Sequence, residues 1–311
     1  MEKKTNNLKG GLILLVTAFI WGIAFVAQSD AASKIPPFAF NAIRSFIGAI
    51  MLLLLMCFRK IKSGEKIFVS KTAPNSLVAK GGIICGIMLW LSVNLQQMGL
   101  TYYEKHGLPG GSARAAFLTA LYVVIVPILS VFFKRKVSPI IWVSTVIALL
   151  GAYLLCTAGL GGFNKGDILM LACALSFSLH VLSVDKFCNE VGGIRLSMIQ
   201  FSVCAAVSLI TSLIFETDPF NPENIIAAII PILFLGIMSS GVAYTLQIIG
   251  QKYAEPAVAS LTMSLESVFG ALGGWIILGQ TLTLLQIIGC TLVFIAIIIA
   301  QIPEILFNKK A

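Results

Sequence analysis

Charge is scarce in this sequence. Only 11% of its 311 residues are Asp, Glu, Lys or Arg, while 58% belong to the hydrophobic set. A soluble globular domain carries about 25% charged residues, so an ordinary soluble fold is excluded as the first reading. A mean hydropathy of +0.96 excludes a disordered chain as well. Histidine is nearly absent, with His106 and His180 the only two. There is no HExxH, GxSxG or P-loop, and no GxGxxG on a strand–helix pattern, so the expectation is that the protein is not an enzyme and has no catalytic residues. The seven cysteines form no CxxC or other metal spacing and read as small packing residues. Neither a metal nor a cofactor is expected. The net charge of +9 does not point to nucleic acid, because the cations lie in short runs between apolar segments and form no basic face.

What the chain does have is long apolar segments, over approximately 11–29, 37–58, 79–100, 113–133, 139–158, 167–184, 196–215, 225–250, 257–278 and 283–302. A membrane helix needs about 20 apolar residues, so ten of them leave roughly ten residues per connection, too few for a separate soluble domain. Pro37, Pro139 and Pro256 sit at first-turn positions and Pro303 marks the last stop. Pro127 lies inside the fourth segment and predicts a kink there. The first segment follows Lys3, Lys4 and Lys9 as a signal peptide would, but it resembles an internal segment and reads as a membrane helix.

That resemblance belongs to a larger internal repeat. GLILLVTAFIW (11–21) matches GDILMLACALS (166–176), GIMLWLSVNLQQ (86–97) matches GIMSSGVAYTLQ (236–247), and the segment from Thr119 matches the segment from Met263. The three matches fall in the same order. The expected fold is therefore an all-α membrane protein with ten transmembrane helices as two inverted five-helix repeats, residues 1–158 and 159–311. Five helices per half turn the second half upside down, as in many secondary transporters. With both termini cytoplasmic, 17 of the 22 Lys and Arg residues fall inside and four outside (Lys34, Lys105, Arg114 and Lys165), with Arg44 within a helix. That bias sets the predicted orientation.

Polar residues at membrane depth mark candidate sites. Glu266 lies near the middle of the ninth segment and is a candidate for proton coupling, with helix packing as the alternative. Arg44 lies about 10 Å below the outer end of the second segment at 1.5 Å per residue, so it either pairs with Glu266, receives a substrate carboxylate or snorkels. His180 is a second proton-coupling candidate, though a lone histidine is more often a hydrogen-bonded packing residue. Asn41, Asn94, Gln97, Thr119, Tyr122, Gln200, Tyr244, Gln247 and Ser264 are uncharged and deep. Asn94 and Gln97 share one helix face, as do Tyr244 and Gln247, and the two pairs occupy matching positions of the two halves. They are candidate walls of a cavity between the repeats, with plain interhelical hydrogen bonding as the alternative. Trp21 and Trp90 are candidate apolar lining. Gly270 and Gly274 form a GxxxG, and Ala18 and Gly22 a small-xxx-small pair, both suited to close helix approach.

These residues resemble the EamA family of the drug/metabolite transporter superfamily. The resemblance lies in IWGIAFV (20–26), AFNAIRSFIGAIMLLL (39–54), AAFLTALYVVIVPILSVFFKRK (115–136) and SLESVFGALGGWIILGQTLTLLQIIG (264–289), and spans nearly the whole chain. It implies ten helices, inward-facing termini, a central cavity shared by both halves, and export or exchange of small metabolites such as amino acids, or of drugs. The helix-two arginine carries over to Arg44 and the helix-nine glutamate to Glu266. Where the family often reads Glu-Pro in helix nine and has a glutamate before helix ten, this chain has Glu266-Ser267 and Gln280, which predicts a straighter helix nine. The expected function is a secondary active transporter of the cell (plasma or inner) membrane working by alternating access, with proton coupling through Glu266 as one form and uniport as another. The expected partners are a small-molecule substrate and the lipid bilayer, with a homo-oligomer left open. Two alternatives are a sensor or interaction protein that binds without transporting, and a flippase for lipid-like cargo.

Overall fold

The computed structural model describes residues 7–63, 74–108, 111–156, 163–278 and 283–307. Among the described residues there is no strand. In chain order the helices are α1 (Asn7–Ala32), α2 (Pro37–Ser63), α3 (Asn75–Lys105), α4 (Gly111–Ala120), α5 (Tyr122–Phe132), α6 (Pro139–Cys156), α7 (Lys165–Phe187), α8 (Gly193–Phe215), α9 (Pro222–Ala227) and α10 (Ile229–Phe234). A π-helical segment (Leu235–Ala243) follows, then α11 (Tyr244–Gln251), α12 (Pro256–Met263), α13 (Glu266–Leu278) and α14 (Leu284–Phe307). Each predicted apolar segment falls on one of these helices or on a consecutive set of them.

Seven helical stretches are long and apolar enough to cross a membrane: Leu8–Ala32, Pro37–Ile61, Asn75–Lys105, Arg114–Phe132, Lys165–Phe187, Gly193–Phe215 and Ile229–Gln251. Pro139–Leu154 and Leu284–Ala300 are apolar but shorter, and the ninth predicted segment is divided between α12 and α13. The distribution of polarity is that of a multi-pass membrane protein. Large apolar side chains such as Phe132, Ile214 and Ile230 point outward, while Asn41, Gln97, His180, Gln200 and Gln251 are fully buried. Water would reward the opposite arrangement.

Two helices break in mid-span, at matching places. Between α4 and α5 the turn at Leu121 tightens to three-residue bonds, Leu121 N to Leu118 O at 3.4 Å and Val124 N to Leu121 O at 3.0 Å. Between α12 and α13, Leu265 N donates to Thr262 O at 3.3 Å and Ser267 N to Ser264 O at 3.2 Å. Pro127 lies inside α5, and the interruption of this segment comes more than a turn before it, at Leu121. The predicted straightening of helix nine is corrected, because the helix is interrupted between α12 and α13 without a proline. Ser260, Ser264 and Ser267 donate to the carbonyls of Ala257, Leu261 and Ser264 at 2.9, 2.7 and 2.8 Å, competing with the helical ladder.

α7 is fastened at both ends to the broken helix α4–α5. At one end Asp167 accepts from Arg114 Nε and Nη2, both at 2.5 Å, from Tyr103 Oη at 2.8 Å and from Asn164 N at 2.8 Å. At the other end Arg135, just beyond α5, pairs with Asp185. Arg114, counted from the sequence as an outer flanking cation, is 5% exposed and fully engaged.

Candidate functional site

The helices border a partly open cavity of about 470 Å³, counting the space at its mouth. α1 supplies Trp21, Phe25 and Gln28, spaced four and three residues apart and so on one helix face. α2 supplies Arg44, α3 Gln96, α4 Thr119 and α5 Tyr122. From the second half come Phe177 and Val181 of α7, Ser239 of the π-helical segment, Tyr244 and Gln247 of α11, Met263 of α12 and Glu266 of α13. Both helix breaks open onto this space. Tyr122 and Glu266 are the first residues of their half-helices, and the internal repeat pairs Thr119 with Met263 and Tyr122 with Glu266.

The wall is aromatic on one side and polar on the other. Trp21 and Tyr244 pack with ring centroids 4.7 Å apart, and Phe201 supports Tyr244 edge-on at 5.3 Å. Trp21 Nε1, Gln28 Oε1 and Gln247 Oε1 are buried without a hydrogen-bond partner, and the Tyr122 hydroxyl lies beside the Glu266 carboxylate. Buried polar atoms are normally satisfied, so these groups have hydrogen-bonding capacity left for a ligand or water. Glu266 is 4% exposed and Arg44 3%, and they face the same space without pairing. Arg44 Nε donates to Asn41 Oδ1 at 2.6 Å instead, and its guanidinium sits 5.5 Å over the Phe40 ring. The predicted Arg44–Glu266 pair is thus absent from this structure, and Arg44 is buried in place of snorkelling outward.

Seven of the fourteen residues singled out from the sequence line the cavity: Trp21, Arg44, Thr119, Tyr122, Tyr244, Gln247 and Glu266. The other seven are not among its lining residues. Asn41 and Asn94 bond to each other at 2.9 Å, and Asn94 reaches Trp90 O at 2.8 Å and Ser208 Oγ at 3.1 Å. Trp90 packs in the apolar cluster around Leu89, Phe201 and Tyr244. Gln97 ties α3 to α1 through Gln28 O at 3.1 Å. Gln200 lies 3.2 Å from His180 Nε2, and the His180 ring meets Tyr244 edge-on at 6.1 Å from behind. Ser264 caps the end of α12.

The substitution of Gln96 for Gln97 has a geometric cause. The repeat aligns Gln97 with Gln247, but α3 is continuous α-helix while the matching stretch before Gln247 is π-helical. A π-turn holds an additional residue, so everything beyond it rotates by one position relative to an α-helix. The position equivalent to Gln247 in space is then Gln96. Gln28 and Phe25 were open to detection, since they share the helix face of Trp21. Ser239 carried no signal beyond being a small polar residue.

The fold and site together define a multi-pass helical membrane protein with a polar cavity between interrupted helices. The model of the EamA-like transporter family matches residues 8–157 and again residues 164–301. The chain belongs to that family. It is 31% identical to an uncharacterized transporter of Archaeoglobus fulgidus, over 96% of this chain and 87% of the relative. It is 26% identical to an uncharacterized transporter of Clostridium kluyveri, over 97% and 95% of the two chains. It is 22% identical to the uncharacterized inner membrane transporter YedA of Escherichia coli K12, over 96% and 92%. The fold is similar to that of one solved crystal structure with a TM-score of 0.74 at 20% identity, covering 94% of this chain and 98% of the other. These relatives are named as transporters and not as enzymes.

Proposed function

We propose that the protein is a secondary active transporter of small metabolites that works by alternating access and couples transport to protons through Glu266. In this reading ten helices cross the membrane as two inverted repeats, 1–158 and 159–311, with both termini cytoplasmic. The two separate family matches support the division into halves. The paired breaks at Leu121 and at Ser264–Leu265 support a midplane site, because interrupted helices are where such carriers hold their cargo. The two halves rock about the cavity, and the tight turns beside Tyr122 and Glu266 are where the wall bends. No nucleotide-binding motif is present in the sequence, so solute and proton gradients supply the energy.

The observation that carries this reading is Glu266: a carboxylate 4% exposed, lining the cavity beside the Tyr122 hydroxyl, with no ion pair to the arginine that shares the space. A buried carboxyl group of this kind is suited to gain and lose a proton as the cavity opens to either side. The test uses purified protein in proteoliposomes. Wild type is expected to exchange solute in counterflow and to concentrate it when a pH gradient is imposed. Glu266→Gln is expected to keep counterflow and lose the pH-driven accumulation. Retention of pH-driven accumulation in Glu266→Gln removes the coupling role, and absence of counterflow for every solute in wild type favours a binding protein that does not transport.

A further inference from the structure

Behind the cavity wall a chain of buried polar groups ends on Arg44. Ser208 Oγ accepts from Asn94 Nδ2 at 3.1 Å, Asn94 Oδ1 accepts from Asn41 Nδ2 at 2.9 Å, and Asn41 Oδ1 accepts from Arg44 Nε at 2.6 Å. Asn41 Nδ2 also reaches Val93 O at 3.1 Å, and Asn94 Nδ2 reaches Trp90 O at 2.8 Å. Asn41, Asn94 and Ser208 are 0%, 2% and 0% exposed. The orientation of each amide follows from its partners. Arginine has donors only, so the Asn41 oxygen must face it, and its nitrogen must then face α3.

The network uses one of the five N–H donors of Arg44 and aims the rest of a planar fork at the cavity. Among the described residues, the side-chain hydrogen bond of Arg44 is this one through Nε. A guanidinium held this way, out of water and without a counter-charge, is matched by a carboxylate, which it binds through two parallel hydrogen bonds. The other charge on the wall narrows the choice. One arginine and one glutamate line the cavity. A doubly charged phosphate would face Glu266 with excess negative charge, whereas a single carboxylate balances Arg44 and leaves Glu266 free for its proton.

We infer that the cavity takes a solute bearing a carboxylate, that Arg44 binds this group, and that Asn41 is the positioning residue that makes Arg44 selective for it. The inference rests on the carrier reading for its cargo role, but its binding part stands separately. Asn41 touches no solute. It acts by holding the guanidinium, and Asn94 acts by holding Asn41.

The experiment compares carboxylic acids with their uncharged amides, in pairs of equal size. Thermal stabilisation of the purified protein reads binding, because a ligand of the folded state raises its stability. Exchange in proteoliposomes reads transport. Wild type is expected to be stabilised by acids and not by the paired amides, and to exchange acids with the lower KM. Asn41→Ala is expected to raise KM for acids about tenfold, the size of a lost hydrogen bond to a charged group, with kcat and amide exchange unchanged. Asn41→Asp keeps an acceptor beside Arg44 but supplies a rival charge, so it is expected to abolish acid preference while the protein stays folded. Arg44→Gln is expected to bind acid and amide alike. Acid and amide exchange falling together in Asn41→Ala, or full acid preference in Asn41→Asp, would show that the network serves packing only and overturns the inference. A wild type that exchanges both members of each pair equally also overturns it, while leaving the carrier reading intact. Acid-specific stabilisation lost in Arg44→Gln, with no exchange of any solute, supports the site and refutes the carrier.

Discussion

At the scale of single residues, the decisive feature is what each buried polar group is bonded to. Asp167 and Arg114 are both nearly inaccessible, and the carboxylate collects four hydrogen bonds from α3, α4 and the start of α7. Breaking a buried pair from one side costs about 3–5 kcal/mol, whereas replacing both partners with apolar groups costs far less. Asp167→Asn is therefore expected to lower the thermal midpoint in detergent sharply, and Arg114→Met combined with Asp167→Leu to regain most of the loss. If the double variant is as unstable as the single one, the packing around Tyr103 and not the charge pairing holds this end together. The sequence signalled Arg44, Glu266, Tyr122 and Tyr244 because a polar or charged group within an apolar run has few reasons to be there. It could not signal Asp167, which stands at the edge of its segment, where a helix-capping acid is ordinary. Nor could it separate a cavity-facing amide from one behind the wall. Asn94 and Gln97 have the burial and polarity of lining residues and differ from Gln96 only in the angle at which they leave the helix.

At the scale of helices, the small-residue motifs were legible and the helix breaks were not. The Ala18/Gly22 pair of α1 and the glycine motif of α13 predicted close approach, and Gly22 does lie against Gly270. A methyl group placed on Gly22 would stand 2.6 Å from Phe269 Cβ and 2.7 Å from both Glu266 O and Gly270 N. This contact seats the start of α13, and with it the Glu266 carboxylate, against α1. Gly22→Val is expected to cost about 1–3 kcal/mol by overpacking and to lower solute exchange, since it displaces the backbone that bears Glu266. Gly273 is the internal control: the nearest atom to an added methyl is 4.0 Å away, so Gly273→Ala is expected to leave the thermal midpoint and exchange unchanged. Equal damage from both substitutions would mean that α13 tolerates no change at all, and that close approach at Gly22 is not the cause. The breaks are hidden in the sequence because proline is the familiar signal, and neither break falls at one. Ser260, Ser264 and Ser267 donate to backbone carbonyls three residues back on either side of the break. The π-helical segment is hidden for a related reason: Gly236, Ser239, Ser240 and Gly241 read simply as small residues, and the insertion shows only when its helix is set beside α3.

At the scale of the whole molecule, orientation is the property that sequence and fold constrain from different sides. The apolar pattern and the 17-to-4 distribution of cations assign each connection to a face. The fold adds that the ends of α7 are unlike. Its first-turn Asp167 is sealed with Arg114 and Tyr103, whereas the Arg135–Asp185 pair at the opposite end leaves Arg135 39% exposed. If the sealed end is external, the apolar cluster of Phe25, Leu100, Tyr103, Ala115 and Met170, which shares Tyr103 with the seal, lies toward the outer side. Labelling with a membrane-impermeant thiol reagent decides the matter. Glu223 and Lys136 are both exposed and lie on opposite faces in the proposed topology. Glu223→Cys is expected to react in intact cells well above the wild-type background, and Lys136→Cys only after the membrane is opened. The reverse pattern would place the termini outside and turn the Arg114–Asp167 seal into a cytoplasmic one. Reaction of both in intact cells would mean that the shorter helix between them, α6, does not cross, and that ten crossings is the wrong count.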